Sequence, residues 1–326
     1  MSGVQSRARA IFAAYPELVA VLAAAILGLS LQRLAWLAAH QGINVLLAIL
    51  VFATAVTIDP AALRRLAQAW RSLLAAVAVG ITVLPALSWA VSRIVTAGSL
   101  RDGVMAVGLA PCEIASVATT AMAGGEAAVS AGILIGSTVA AVALAGPILT
   151  LEAGRAGVSP GGIIVNLALV VALPLAVGLA ARASAARLAA TRFLSTPRAE
   201  AVASRTALAA VAALVALIAA EVRLSVAYLA VAAALLIFLL ASALAGRLLG
   251  VRTTRPTATA LLLTTSMRDF AIAAGLAAAA FGPAAAAPLG LYGVAVLVWG
   301  TAVAGVLRQR AARATPRAQE LNTELS

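Results

Sequence analysis

Two short runs of polar residues interrupt long apolar stretches, and they are the residues best able to do chemistry. The first run contains Pro111-Cys112-Glu113 and Ser116, and the second contains Thr264-Thr265-Ser266 and Arg268-Asp269. Both stretches have about the 20 residues that cross a hydrocarbon core as a helix. A charged side chain there costs about 2.5 kcal/mol or more, so it persists only beside a partner or a wet cavity. The two runs therefore predict a polar pocket among apolar helices.

The chemistry of such a pocket is ion and substrate binding. Two helices that break and restart near Ile114 and Phe270 would direct free N–H groups, which attract an anion, into the pocket. The helix halves that end nearby would offer carbonyl oxygens to a cation or a proton-bearing group. The predicted binding residues in and near these runs are Cys112, Glu113, Ser116, Thr120, Thr264, Thr265, Ser266, Arg268 and Asp269, with Asn44 from an earlier helix.

Each of these residues also has a purely structural interpretation. Arg268 and Asp269 are adjacent and could neutralise one another or cap a kink. Glu113 could be a buried protonated acid bonded to freed N–H groups, and Cys112 could be a small packed hydrophobe. The hydroxyls could bond back to helix carbonyls, and Asn44 could link two helices.

The composition places these residues in a membrane protein. The chain has 326 residues, of which 63% are hydrophobic and 10% are charged, against about 25% charged in soluble domains. The net charge of +12 comes from arginines in short segments between apolar runs, so it indicates membrane topology rather than nucleic-acid binding. One cysteine and one histidine exclude an internal disulfide and disfavour a metal cluster. We expect no cofactor and no metal, and the partners are the lipid bilayer and a small solute.

Hydropathy predicts ten membrane spans and an all-α fold. Of the 23 arginines, 17 fall in the connections on one side of the membrane and five in those on the other side. The remaining one, Arg268, lies within a span. By the positive-inside rule both termini are cytoplasmic, in a plasma (inner) membrane. The ten spans lie at roughly 12–30, 40–58, 70–95, 101–122, 126–150, 160–181, 203–220, 224–248, 257–281 and 284–306.

The longest polar connection, 183–205, is predicted to be a cytoplasmic linker after an N-terminal segment 1–182. The segment 206–307 and the preceding span, which begins at 160, together form the predicted C-terminal five-helix repeat. The boundary between the two repeats is therefore predicted near 155–160. An odd number of spans in each repeat would insert the repeats in opposite orientations, as in many secondary transporters. The residues 308–326 are predicted to form a cytoplasmic tail.

These segments resemble the bile acid:sodium symporter superfamily over nearly the whole chain. The run from Gly108 through Ser116 to Ser130 is similar to the family's first broken helix, and the run from Ser266 to Leu276 is similar to its second. The resemblance implies two inverted five-helix repeats with crossed, broken helices 4 and 9, and it adds Ser130 to the binding residues. It also implies a core of spans 3–5 and 8–10 that moves against spans 1, 2, 6 and 7, and an organic-anion substrate.

The chain departs from the sodium-site pattern of that family. In our alignment the family's acid on helix 9 falls on Thr264, and its glutamine falls on Arg268. An asparagine and a hydroxyl of helices 4 and 5 fall on Val117 and Leu134. Arginine stays protonated in proteins, so Arg268 could supply the charge that sodium otherwise brings.

The sequence therefore predicts a secondary transporter of an organic anion with weak or absent sodium dependence; the coupling ion is Na⁺ or H⁺. Two alternatives remain open. Cys112 near the first break also fits an arsenite or metalloid efflux carrier of the same superfamily. Glu113 and Asp269 could instead serve as the acid and base of a membrane-embedded enzyme, although no nucleophile or cofactor motif accompanies them. No feature of the sequence indicates an oligomeric state.

Overall fold

A computed structural model describes residues 16–31, 42–58, 69–153, 159–185, 196–220, 222 and 225–324. The described residues are almost entirely helical and contain no β-strand beyond one isolated bridge pair, so the predicted all-α fold is confirmed. Residues 186–195 of the predicted linker lie outside the described residues, as do Arg33, Arg155 and Arg223 on the arginine-poor side.

Fourteen α-helices are described. They are α1 Pro16–Ser30, α2 Ile43–Thr57, α3 Trp70–Ile81, α4 Val83–Ser92, α5 Gly98–Val107, α6 Ala115–Met122, α7 Ala127–Ala153, α8 Pro160–Leu167, α9 Leu173–Ala185, α10 Pro197–Ala220, α11 Ala227–Gly250, α12 Arg255–Ser266, α13 Phe270–Phe281 and α14 Ala287–Glu324. A π-helical turn, Ala168–Ala172, joins α8 to α9, and a 3₁₀ turn, Pro283–Ala286, precedes α14.

Six helical segments within the described part of the chain are long and apolar enough to cross a membrane. They are Trp70–Ser92, Ala127–Glu152, Pro160–Ala185, Pro197–Ala220, Ala227–Gly250 and Pro283–Gln309. The shorter apolar helices are Val19–Ser30, Ile43–Thr57 and Phe270–Phe281. Each segment coincides with a predicted span, and the chain is a multi-pass membrane protein. The total of ten spans stays a prediction.

Local chemistry explains where several helices begin or bend. Ser159 caps α8 by accepting a hydrogen bond from the N–H of Gly162 at 3.2 Å, and Pro160 occupies the first helical position. The boundary between α3 and α4 lies just before Pro85, which has no N–H to donate to the carbonyl one turn earlier. The π-helical turn likewise precedes Pro174.

Both flanks of the predicted linker 183–205 are helical. Residues 183–185 complete α9 and residues 197–205 form the first two turns of α10. Arg182 of α9 forms an ion pair with Glu200 of α10, so the polar residues that suggested a linker instead bridge two helix ends. The cytoplasmic connection itself stays a prediction, since a membrane helix can extend beyond the bilayer with a polar end.

Helix contacts divide the described helices into two groups. The first helix group consists of α3–α7 and α11–α14, in which α7 packs on α3 and α11 packs on α12. The second helix group consists of α1, α2 and α8–α10, in which α2 lies against both α9 and α10. These groups contain the same spans as the core and the moving panel that the resemblance implied.

The two helix groups touch at glycines on one side of the molecule. A Cβ atom at Gly275 of α13 would lie 3.1 Å from Leu47 of α2, and one at Gly290 of α14 would lie 3.2 Å from Ile218 of α10. Leu47 and Ile218 are fully buried. The absence of a side chain at these glycines therefore lets helices of the two groups approach closely on this side.

Candidate functional site

Two helix breaks cross in the middle of the first helix group. The first break, residues 108–114, separates α5 from α6, and the second break, residues 267–269, separates α12 from α13. We call these two segments the crossover. The N–H of Glu113 donates to the carbonyl of Met267 at 2.7 Å, and the N–H of Asp269 donates to the carbonyl of Pro111 at 2.9 Å. This antiparallel pairing satisfies backbone groups that lipid would leave unbonded.

The restart points agree closely with the sequence prediction. Ile114 is the N-cap of α6, and Asp269 is the N-cap of α13. Asp269 Oδ1 accepts a hydrogen bond from the N–H of Ile272 at 2.8 Å, which is the usual bond of a capping aspartate. The capping interpretation of Asp269 is therefore confirmed, while its Oδ2 is buried without a hydrogen bond from the described residues.

Arg268 lies in the crossover with only 3% of its side chain exposed. Its guanidinium donates to the carbonyl oxygen of Ala110, one of the carbonyls freed where the first helix breaks. The guanidinium fits beside Gly80 of α3, where a Cβ atom would lie 3.4 Å from Nη1. The positive charge therefore sits on the side of the crossover that faces α3 and α7.

Glu113 points to the opposite side. Its carboxyl group lies close to the backbone N–H groups of Ile114, Ala115 and Phe270, which begin α6 and α13, and it interacts electrostatically with Asp269. Glu113 is 4% exposed, and its Oε2 has no hydrogen-bond partner among the described residues. The N–H groups that were predicted to attract an external anion thus already face a carboxyl group of the protein.

A cavity of about 420 Å³ separates the two helix groups next to Glu113. We call it the central cavity. Its walls are mostly aliphatic, and Glu113 is the one charged residue among the described residues that line it. The cavity extends from the crossover toward the ends of α2, α6 and α10 that adjoin arginine-rich segments. It therefore lies on the side away from the Gly275 and Gly290 contacts.

The predicted hydroxyl residues are buried around the crossover but do not line the central cavity. Thr264 donates back to the carbonyl of Ala260 at 2.7 Å, as the structural interpretation expected. Ser266 accepts from Trp299 Nε1 at 3.0 Å and so faces α14. The hydroxyl oxygens of Ser116 and Thr265 are buried without partners among the described residues.

The remaining predicted residues lie at helix contacts. Thr120 Oγ1 and Ser130 Oγ are 3.4 Å apart between α6 and α7. Asn44 donates to Asn166 at 3.3 Å and links α2 to α8. Cys112 is fully buried, and its N–H donates to Ser137 Oγ at 3.1 Å. Among the eleven predicted residues, Glu113 alone lines the central cavity.

Three polar residues of the cavity wall were not predicted. They are Thr54 and Thr57 on α2 and Ser204 on α10. Thr54 and Thr57 are three residues apart and therefore share one face of a mostly apolar helix, which is a signal that the sequence did contain. Ser204 lies where the predicted linker 183–205 overlaps the start of the predicted span 203–220.

A comparison with protein families identifies the chain. The model of the sodium bile acid symporter family matches residues 44–249, which include α2 through most of α11 and the first break of the crossover. The chain belongs to the sodium bile acid symporter family. A search of curated proteins found no match.

Membership assigns the chain to a family of symporter-type transporters rather than enzymes. The matched range ends before α12, so the second break with Arg268 and Asp269 lies outside it. Thr264 and Arg268, two of the positions at which we expect a departure from the family's sodium-site pattern, therefore lie outside the matched range.

Proposed function

We propose that this member of the sodium bile acid symporter family is a secondary active transporter of an organic anion with weak or absent sodium dependence. It works by alternating access in the plasma (inner) membrane with both termini in the cytoplasm. The observation that carries the sodium part of the proposal is the guanidinium of Arg268, which is bonded to the freed carbonyl of Ala110 inside the crossover.

Alternating access requires two bodies and a site between them. The two helix groups supply the bodies, and the central cavity lies between them. The two helix groups are in contact at Gly275 and Gly290 on one side, and the cavity separates them on the other. A transporter that is open to one side needs this arrangement. With the arginine-rich segments in the cytoplasm, the central cavity lies on the cytoplasmic side of the crossover.

The side chains at the family's ion-binding positions support a loss of sodium sites. Sodium is a hard cation that prefers oxygen ligands, yet Val117 and Leu134 present aliphatic surface to the central cavity. The hydroxyl of Thr264 is engaged with a carbonyl of its own helix. The carbonyl of Ala110, which a cation could use, already accepts from Arg268.

The inverted-repeat arrangement is part of the proposal. The six long apolar segments, the two shorter helices α1 and α2, and the two broken helices together make up ten spans. The two broken helices occupy corresponding places in the two predicted repeats and pair with each other through the antiparallel bridge of Cys112 and Arg268. Such pairing is what two repeats related by a pseudo-two-fold axis would produce.

Exchange of radiolabelled taurocholate by the reconstituted protein tests this function. Taurocholate is an amphipathic anion, so its body suits aliphatic walls, and exchange against unlabelled taurocholate needs no ion gradient. We expect exchange at the same rate when all sodium is replaced by choline. Exchange that strictly requires sodium, and that is unaffected by Arg268→Gln, would contradict the sodium part of the proposal; absence of exchange would contradict the whole.

The arsenite alternative receives less support from the geometry. A thiol that binds a trivalent metalloid has to reach the transport pathway, whereas Cys112 is fully buried in an aliphatic cluster and does not line the central cavity. A strain that expresses the wild-type protein or Cys112→Ser should therefore show the same arsenite sensitivity. Resistance that depends on Cys112 would favour the metalloid carrier.

A further inference from the structure

The unpaired oxygen of Glu113 is the most unusual polar atom of the central cavity. The side chain is 4% exposed, its Oε2 has no hydrogen-bond partner among the described residues, and Glu113 is part of the cavity wall. A buried carboxyl oxygen without a partner is costly, so such an atom in a native structure calls for an explanation. Because Glu113 belongs to the cavity wall, rotation of its side chain toward the cavity would let a ligand provide the missing partner.

Among the described residues that line this cavity, Glu113 is accompanied by no positive charge. Across the cavity, the polar groups on the second helix group are the hydroxyls of Thr54, Thr57 and Ser204. On its own side, Glu113 interacts electrostatically with Asp269 and, more weakly, with Cys112 and Tyr292. An anion that enters the described part of the cavity therefore encounters a carboxyl group and no cation.

The other two charged residues of the crossover are engaged elsewhere. The guanidinium of Arg268 bonds to Ala110 and faces α3 and α7, where it adjoins Gly80 rather than the central cavity. Asp269 is fully buried, caps α13 through its contact with Ile272, and is absent from the cavity wall. Of the two acids that could carry a coupling proton, Glu113 is therefore the one that belongs to the cavity wall.

We propose that Glu113 is protonated when the anion binds and donates a hydrogen bond from its carboxyl group to the anion, so that one proton moves with each anion. The inference rests on the proposed function. An ionised carboxylate and an anion side by side in an apolar cavity repel strongly, and a shared proton turns that repulsion into a charge-assisted hydrogen bond. The proton enters with the anion from one side of the membrane and leaves with it on the other, and no covalent bond changes.

Proteoliposomes with taurocholate test the proposal, because its sulfonate is ionised throughout the working pH range and carries no proton of its own. Sodium is absent, and the membrane potential is clamped with potassium and valinomycin. One proton per monovalent anion predicts about tenfold accumulation for each unit of pH gradient, acid outside. In Glu113→Gln the amide still donates a hydrogen bond but cannot release a proton. We expect this variant to exchange labelled for unlabelled taurocholate at equal pH yet to accumulate none under the gradient.

Glu126→Gln serves as the matched control. Glu126 accepts a hydrogen bond from Thr257 at 2.9 Å outside the central cavity, and a glutamine oxygen can accept the same bond. We expect this variant to accumulate taurocholate as the wild-type protein does.

Three outcomes would overturn the inference. The first is proton-driven accumulation by Glu113→Gln, whether or not Asp269→Asn loses it. The second is loss of exchange as well as accumulation in Glu113→Gln, and the last is exchange by the wild-type protein without any proton-driven accumulation. The last outcome would leave the proposed function intact. Absence of exchange by the wild-type protein would overturn both proposals.

Discussion

Replacing Arg268 by glutamine tests whether a fixed positive charge has taken the place of a bound cation. The guanidinium is 3% exposed, bonds to the carbonyl of Ala110 and occupies the space beside Gly80. Arg268→Gln removes this charge while Asp269, with which it interacts, stays in the crossover. We expect the variant to be less stable than the wild-type protein and to gain a stabilising response to sodium.

The size of the effect follows from the contacts that disappear. A hydrogen bond to a charged group contributes about 1.5–3 kcal/mol, and a buried carbonyl left without a donor costs about 1–3 kcal/mol. These two figures describe the same lost contact, so we expect Arg268→Gln to lower the free energy of unfolding by about 2–3 kcal/mol. Sodium at about ten times its dissociation constant would restore about 1.4 kcal/mol of this loss.

Thermal unfolding of the purified protein measures both effects. The wild-type protein and Arg268→Gln are compared in sodium chloride and in choline chloride at equal ionic strength, so that general screening cancels. Arg308→Gln is the matched control, because Arg308 is exposed near the end of the membrane-spanning part of α14. We expect the wild-type protein and the control to respond equally to the two salts.

A specific stabilisation of the wild-type protein by sodium would refute this reasoning, since a cation site would then exist beside the guanidinium. Unchanged stability of Arg268→Gln in choline would refute it in another way. The bond to Ala110 would then contribute nothing, and the guanidinium would not be the group that satisfies the freed carbonyl.

Two further predictions concern how the crossover is positioned. A Cβ atom at Gly108 would lie 2.4 Å from the carbonyl oxygen of Leu84, so Gly108→Ala should force α4 and α5 apart and lower the free energy of unfolding by about 1–3 kcal/mol. Gly98→Ala, where nothing lies within 4 Å, should cause no loss in the same thermal unfolding assay, and equal losses would contradict the packing argument. Asp269→Ala should lower the free energy of unfolding by about 0.5–2 kcal/mol through the lost cap to Ile272. Asp269→Asn should be closer to the wild type, and a larger loss for asparagine than for alanine would contradict the capping role.

Much of the site's backbone could be predicted because its causes are local. Charged and hydroxyl residues in the middle of an apolar stretch indicate a break, and the breaks at residues 108–114 and 267–269 lie where those residues suggested. The capping of α13 by Asp269 is likewise a short-range effect between neighbouring residues. Residues 197–205 of the predicted linker form the start of α10, which polarity could not show because it does not separate a loop from a helix end in water.

The sequence by itself determined the class of protein, the places of the apolar spans and the residues at which two of them break. Those properties follow from the hydrophobic length of a segment and from helix-ending chemistry, both of which are short-range. Only the tertiary structure decided that Glu113 lines the central cavity while Arg268 faces α3. The crossover backbone is extended on both sides of Arg268. Successive side chains of an extended segment point to opposite sides, so neighbouring residues of the crossover meet different helices. What each side chain meets depends on helices that come from distant parts of the chain.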